Sequence, residues 1–212
     1  MTEILTFYTN PMSRGRIVRW MLEEIGEPYE TVVLDYGTTM KSPDYLAVNP
    51  MGKVPAIRYG DTIVTEGAAI CAFLADMFPD RGLAPPSGNP KRGPYYRWLF
   101  FAAGPVEAAV TNRTLKVEVS AEQRGFVGYG CYEDTIDALE RAILPGPYIC
   151  GDQFTAADLY VGAHIGWGMM FGSIDKRPVF EDYVGRIRSR PAAIRANEID
   201  EALTPRPEPQ AQ

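Results

Sequence analysis

The sequence predicts an α/β unit followed by an all-α half, and three observations carry that prediction. A strand–helix–strand order followed by a hairpin and a helix fills the first 80 residues. Pro79, Pro85, Pro86, Pro90 and Pro94 then mark a connecting stretch. Beyond it only helical periodicity appears, with no convincing strand pair. The expected boundaries are 1–80 for the α/β domain, 81–92 for a linker and 93–204 for the helical domain. Residues 205–212, part of the proline-rich run from Thr204, are expected to form an extended or disordered tail.

Taken in order, Ile4–Tyr8 is β-prone and stopped by Asn10-Pro11. From about Ser13 the spacing of Ile17, Met21 and Ile25 is helical, and Gly26 with Pro28 ends it. Thr31–Leu34 is continuously apolar in its last three positions and reads as a central strand buried on both faces. A helical turn is expected at Pro43–Val48. Val54–Tyr59 and Thr62–Thr65 read as strands joined by Gly60-Asp61, a hairpin signal. Ala68–Phe78 reads as a helix stopped by Pro79. In the second half, helices are predicted over Tyr95–Val119 (kinked by Gly104-Pro105), Ala121–Leu144, Thr155–Phe171, Val179–Ser189 and from Pro191 to about Leu203.

Composition narrows the function classes. The 212 residues hold 21 Lys+Arg against 27 Asp+Glu, a net charge of −6, which disfavours binding to nucleic-acid phosphates. Cys71, Cys131 and Cys150 are too widely spaced for a disulfide framework or a CxxC motif. No apolar run reaches the length of a membrane span, and Met1-Thr2-Glu3 lacks a basic, then apolar, leader pattern, so a cytoplasmic protein without a membrane partner is expected. Residues 1–80 carry 6 basic and 11 acidic side chains, yet four of the six cations sit on two short segments, at Arg14, Arg16, Arg19 and Lys53.

Three segments could carry chemistry. The first helix opens with Arg14, Arg16 and Arg19 and no acid before Glu23, although a helix N-terminus disfavours cations. Either an anion or thiolate is held there beside Asn10 and Ser13, or Ser13 caps the helix and the arginines are solvated. In Asn49-Pro50-Met51-Gly52-Lys53-Val54-Pro55, Val54 is forced extended by Pro55. With a cis proline its backbone would face outward and could pair with a peptide-like ligand; with a trans proline this is an ordinary strand start. Glu66 precedes a helix, where a carboxylate and free amides could bind a zwitterion or where the acid simply caps.

Together, in this order and spacing, these segments resemble the cytosolic glutathione transferase family, serine-bearing bacterial branches included. Asn49–Pro55 is the most specific element, and Phe154-Thr155-Ala156-Ala157-Asp158-Leu159 is a second, a capping box inside the helical half. The resemblance covers essentially all but the tail. It implies a thioredoxin-like N-terminal domain, an all-helical C-terminal domain, a homodimer, and glutathione as co-substrate with no metal. Lys53 would face the glycyl carboxylate, Val54 would pair with the cysteinyl backbone with Pro55 cis, and Glu66 with the Gly67 amide would hold the γ-glutamyl group. Where the family has Ser after that acid, this chain has Gly67 and lacks the hydroxyl. For thiol activation the expected residue is Ser13, which aligns with the family serine through a one-residue gap, with Tyr8 and Asn10 as alternatives. No cysteine lies at this entry, so mixed-disulfide chemistry is not expected.

The resemblance implies that the thiolate attacks a small hydrophobic electrophile, a detoxification-type reaction. A second-substrate pocket would use Tyr95, Trp98, Phe101, Arg113 and Trp167, residue types that equally suit core packing. The competing expectations are a glutathione-binding regulatory protein without turnover, and a specialised dehalogenase, etherase or isomerase. His164 is expected in the core, Gly166, Gly168 and Gly172 at close packing or a helix end, and Glu133, Asp134, Asp137 and Glu140 on a solvated helix face.

Overall fold

The structure, a computed structural model, describes residues 4–204, so the opening Met1-Thr2-Glu3 and the expected tail over 205–212 lie outside the described residues. Two compact units emerge, one of the residues up to Ile70 together with those from Pro191 on, the other Cys71–Arg190. This grouping differs from the expected division at 80 and 93, because the last helix belongs with the first unit. Within 81–92, Leu83 is buried and its carbonyl accepts the Ala156 N–H at 2.8 Å.

The first unit runs β1 (Leu5–Thr9), α1 (Gly15–Ile25), β2 (Tyr29–Val33), α2 (Pro43–Leu46), β3 (Ala56–Tyr59), β4 (Thr62–Thr65) and the start of α3 (Gly67–Met77). The sheet order is β2-β1-β3-β4, with β2 parallel to β1 and the other neighbours antiparallel. On α1 the predicted stripe of Ile17, Met21 and Ile25 is buried, with Val18 and Leu22, and Gly26 closes the helix in the left-handed region, its N–H on Leu22 O. The expected central strand is instead an edge. β2 begins at Tyr29, and Val32 and Val33 are exposed; of the apolar run only Leu34, past the strand, is buried. β3 starts two residues later than the apolar pattern indicates, at Ala56. Pro55 has no N–H to give a ladder.

In the second unit the segment predicted over Tyr95–Val119 is α4 (Arg92–Phe101), a π-helical turn at Ala102–Val106 and α5 (Glu107–Leu115). The wider turn accommodates Pro105, which cannot donate to the helix ladder. The helix expected from Ala121 is confined to α6 (Tyr132–Ile143), since residues 124–131 form turns with Gly130 at φ 69°. α7 (Ala156–Phe171) is apolar on nearly every side and accordingly buried, and ends at Gly172. α8 (Pro178–Arg188) packs against it, and α9 (Pro191–Leu203) closes the first unit.

The capping box at the start of α7 does more than begin a helix. Asp158, fully buried, accepts from Thr155 N–H (2.9 Å), Thr155 Oγ1 (2.9 Å), Ile149 N–H (2.7 Å) and Tyr183 Oη (2.9 Å). Burial pushes its carboxyl up from the ordinary value while these donors oppose the shift. One carboxylate therefore joins α7, the turn before it and α8. Asp158→Ala strands several buried donors and is expected to cost about 3 kcal/mol, which lowers the calorimetric Tm by roughly 6–12 °C in a chain of this length. An unchanged Tm would show that the network contributes nothing.

Candidate functional site

Strand direction places the candidate residues. Tyr8 near the end of β1 faces Ala56 at the start of β3, and Ala56 faces Thr65 at the end of β4. The turn after β1, the segment before β3 and the turn after β4 therefore emerge at one end of the sheet. Asn10 and Ser13 lie on the first, Lys53, Val54 and Pro55 on the second, Glu66 and Gly67 on the third.

At the first turn the backbone is tightly organised. Asn10 Nδ2 donates to Leu34 O (2.7 Å) and its Oδ1 accepts the Met12 N–H (2.9 Å). Ser13 Oγ donates to Asn10 O (2.7 Å) and accepts the Gly15 N–H (2.9 Å). A Cβ on Gly15 would stand 2.0 Å from Thr9 Oγ1, so only glycine lets α1 come this close to β1. Tyr8 is half-buried, its ring 5.5 Å from that of Tyr45, and its hydroxyl makes no hydrogen bond among the described residues.

The arginines are placed differently from the anion site that their clustering suggested. Arg19 is buried against Asp200 (3.2 Å) and Arg16 Nη2 donates to Asn197 Oδ1 (2.8 Å), both on α9. Two of the three arginines are thus answered from α9, and hydroxyl and backbone groups of Asn10 and Ser13 line the turn itself.

The second segment is held from beneath. The Val54–Pro55 peptide is cis, and Val54, packed beside Tyr8 on a cluster of Leu34, Met40, Tyr45, Val48 and Ala56, stands outside the ladder. No hydrogen bond occupies the Val54 N–H or C=O among the described residues. The carbonyl before it is fixed: Lys53 O accepts from Tyr45 Oη (2.6 Å) and Asn49 Nδ2 (2.7 Å). Lys41 Nζ donates to Met51 O (3.0 Å) and Gly52 O (2.9 Å). Gly52 is needed twice over, since its φ is 55° and a Cβ would meet Met40 O at 2.7 Å. The sequence marks Asn49 only as the head of the Asn49–Pro55 segment and gives no sign of Tyr45 or Lys41 beyond the Tyr45–Asn49 spacing of about one helical turn.

At the third segment Glu66 is a non-glycine residue at φ 69°, a backbone state tolerated chiefly where surroundings impose it. Its carbonyl accepts the Ile70 N–H (2.9 Å), so the amides of Gly67–Ala69 precede the first helical bond of α3. Lys53 and Glu66 are both exposed, and neither has an ion-pair partner among the described residues. A cation, the unpaired backbone of Val54 and an anion beside free amides thus share one end of the sheet. That set complements an extended peptide-like molecule bearing a carboxylate at one end and an amino acid zwitterion at the other.

The residues expected at a second pocket are not alike. Tyr95 and Trp98 are core, at 0% and 7% exposure, so neither offers a free wall. Burial raises the Tyr95 hydroxyl far above its ordinary value. Phe101 and Trp167 are half-buried, in edge contact with Trp98 (5.4 Å) and Phe171 (6.1 Å). Arg113 is exposed but clamped by Asp175 at 2.8 and 3.1 Å, over the Tyr132 ring. His164 lies in the core beside Tyr160, as its apolar surroundings predicted.

A mixed four-stranded α/β unit of thioredoxin-like order and a second, all-helical unit define a two-domain thioredoxin-like class of protein, and comparison with known proteins makes this specific. Residues 12–77 match the glutathione S-transferase N-terminal domain and residues 109–168 the glutathione S-transferase C-terminal domain. Glutathione S-transferase GstA of Escherichia coli O157:H7 is 32% identical over 69% of this chain and 73% of its own length. Glutathione S-transferase GST-4.5 of Xanthomonas campestris is 29% identical over 79% and 84%. Among solved structures, a glutathione transferase from Methylococcus capsulatus superposes with a TM-score of 0.78 at 29% identity, covering 94% of this chain and 100% of that one. A sphingomonad glutathione S-transferase complexed with glutathione gives 0.76 at 28%, covering 92% and 98%. The chain belongs to the glutathione S-transferase family.

The Tyr45 hydroxyl is pushed up to about 12 by burial, so it stays a donor to Lys53 O through neutral pH; support from this group is complete below pH 10 and is lost only as pH rises toward 12. Tyr45→Phe removes that bond. The expected result is a rise of about fivefold in KM for glutathione with kcat little changed, corresponding to about 1 kcal/mol. Steady-state kinetics against glutathione at pH 7 checks it, and an unchanged KM would separate Tyr45 from the binding edge.

Proposed function

We propose that this protein is a glutathione transferase that binds glutathione along Lys53, Val54, Glu66 and Gly67 and activates its thiol at Ser13. The observation that carries the reading is the unpaired Val54 backbone between an exposed cation and an exposed anion, at one end of the sheet. Lys53 faces the glycyl carboxylate, Val54 pairs with the cysteinyl backbone, and Glu66 with the Gly67 amide takes the γ-glutamyl amine and carboxylate. That pairing sets the cysteinyl sulfur toward the turn after β1.

Ser13 is suited to receive it. Its hydroxyl proton lies on Asn10 O, but that carbonyl also accepts the Ser13 N–H at 3.0 Å. A turn of the hydroxyl toward sulfur therefore leaves no buried acceptor unsatisfied. The Gly15 N–H continues to donate into Oγ, which strengthens Oγ–H as a donor to a thiolate. The thiol proton passes to solvent, and the ionised sulfur attacks an electrophilic carbon of a small hydrophobic co-substrate, forming the C–S bond as a leaving group departs with its bonding pair or as the π pair shifts onto the activating group and is protonated by water. Phe101 and Trp167, half-buried and aromatic, are the members of the expected second-substrate set that retain surface for an apolar molecule.

We assign a homodimer in the cytoplasm. Exposed apolar side chains support the first: Met51 and Ile63 on one unit, Met77, Tyr96 and Phe100 on the other. Free Cys71, Cys131 and Cys150 suit a reducing compartment. Sedimentation at micromolar concentration is expected to give twice the 23.5 kDa chain mass; a species of single-chain mass would refute the dimer.

Titration of the thiolate absorbance of glutathione with excess protein tests the chemistry. The bound thiol is expected to ionise at least one unit below the free value of about 8.5. Ser13→Ala should return it toward that value and lower kcat by about 100-fold, with Tyr8→Phe near wild type. The opposite ranking would move the thiol contact to Tyr8, and absence of binding would sink the reading.

A further inference from the structure

The arginines at the head of α1 have a use beyond charge. Arg19 is 1% exposed, and its guanidinium meets three other elements of the first unit. Nε donates to Asp200 Oδ1 on α9 (3.2 Å), and Nη1 to Tyr29 Oη (2.9 Å) and Thr31 Oγ1 (2.8 Å) on β2. Its face lies 4.9 Å from the Phe7 ring centre on β1 and 5.3 Å from that of Tyr29. Around this centre Arg16 binds Asn197, and Arg195 donates to Glu23 Oε2 (3.3 Å) and Glu23 O (3.1 Å). Tyr29 Oη closes the ring on Glu23 Oε1 (2.7 Å). Ala192 and Ala196, buried on α9, permit the close approach.

Stability alone does not account for such a centre. Arg19 Nη2 and Asp200 Oδ2 are buried without a hydrogen-bond partner among the described residues, and well-packed apolar side chains commonly serve as well or better in place of a buried ion pair. The pair does supply direction: a guanidinium fixed by a carboxylate, two hydroxyls and two rings allows α1 one rotation and one height. Arg19 stands one helical turn below Gly15, whose N–H and close contact with Thr9 define the Ser13 hydroxyl's position.

Resting on the transferase reading above, we infer that Asp200 on α9 is a positioning residue for thiol activation, acting through Arg19 to hold the Ser13–Gly15 entry of α1 in register with the bound sulfur. The groups that bind the rest of glutathione lie on the segments before β3 and after β4 and do not depend on this clamp. Loss of the clamp therefore acts on sulfur and spares binding.

The test compares wild type, Asp200→Asn and the paired variant Arg195→Ala/Asn197→Ala, which loosens α9 at exposed contacts and keeps the question open if Asp200→Asn does not fold. Three quantities are read at a temperature where circular dichroism shows each protein folded: the pKa of bound glutathione thiol, kcat against KM, and amide hydrogen exchange at Gly15–Ile17. The thiol pKa is expected to rise by about half a unit or more. A fall in kcat of about tenfold at pH 6.5 should accompany a change under about twofold in KM for glutathione. Exchange at Gly15–Ile17 should quicken. A lowered Tm with thiol pKa, kcat and exchange all at wild-type values would overturn the inference. A wild-type protein that leaves the thiol at its free pKa would instead overturn the transferase reading, and the inference with it.

Discussion

Because β1 and β4 run one way and β3 the other, the ends of two strands and the beginning of a third come out on the same edge of the sheet, together with the first turns of α1 and α3. Helix N-termini hold donors without intrahelical acceptors, and a strand interrupted by proline holds a donor and an acceptor without a ladder partner. The chain thus brings several main-chain groups without intramolecular partners to one end of the sheet. Everything else in the first unit keeps that place from collapsing: Tyr45 and Asn49 carry the Lys53 carbonyl, Lys41 those of Met51 and Gly52, and Asn10 fixes the turn after β1 onto Leu34. An open edge with a rigid floor is ready for a ligand without the ordering cost that a loose loop would add on binding.

The other constraint is the distance between α1 and β1. Gly15 brings the helix within reach of Thr9, a separation any side chain would prevent. Closeness alone does not set rotation, and Arg19 supplies what it lacks. Three cations at a helix head are unfavourable against the helix dipole. Here Arg19 and Arg16 are turned away from the helix end and answered by α9, 181 residues along the chain. The same residues that look misplaced in the local sequence are those that make the local structure single-valued.

Local chemistry explains what was legible beforehand. The 3.6-residue stripe of α1, the all-round apolar α7, the Gly60-Asp61 hairpin and the Thr155–Asp158 box each write their structure within a few residues, and the structure has them. The resemblance groups Lys53, Val54, Pro55, Glu66 and Gly67, and the strand register brings the segments that carry them to one end of the sheet. What was misread depended on distant partners. Val32 and Val33 look like core, but β2 has a neighbour on one side only. Arg19 looks like an anion ligand until Asp200 is seen, and Tyr95 like pocket lining until the helices enclose it. Tyr45 escaped notice because a tyrosine donating to a backbone carbonyl leaves no pattern in sequence.

The absent hydroxyl at Gly67 can be weighed on the same grounds. A site built from side-chain donors loses a large part of its affinity when one is deleted. Here, on the proposed reading, the amides preceding the first helical bond of α3 remain, and Glu66 sits at φ 69° with glycine following it. One neutral hydrogen bond contributes about 1 kcal/mol, roughly a fivefold effect on a dissociation constant. On the proposed reading, a departure from the family pattern at this position is therefore compatible with retained binding, because the main-chain groups of Val54 and of the start of α3 stay open without it.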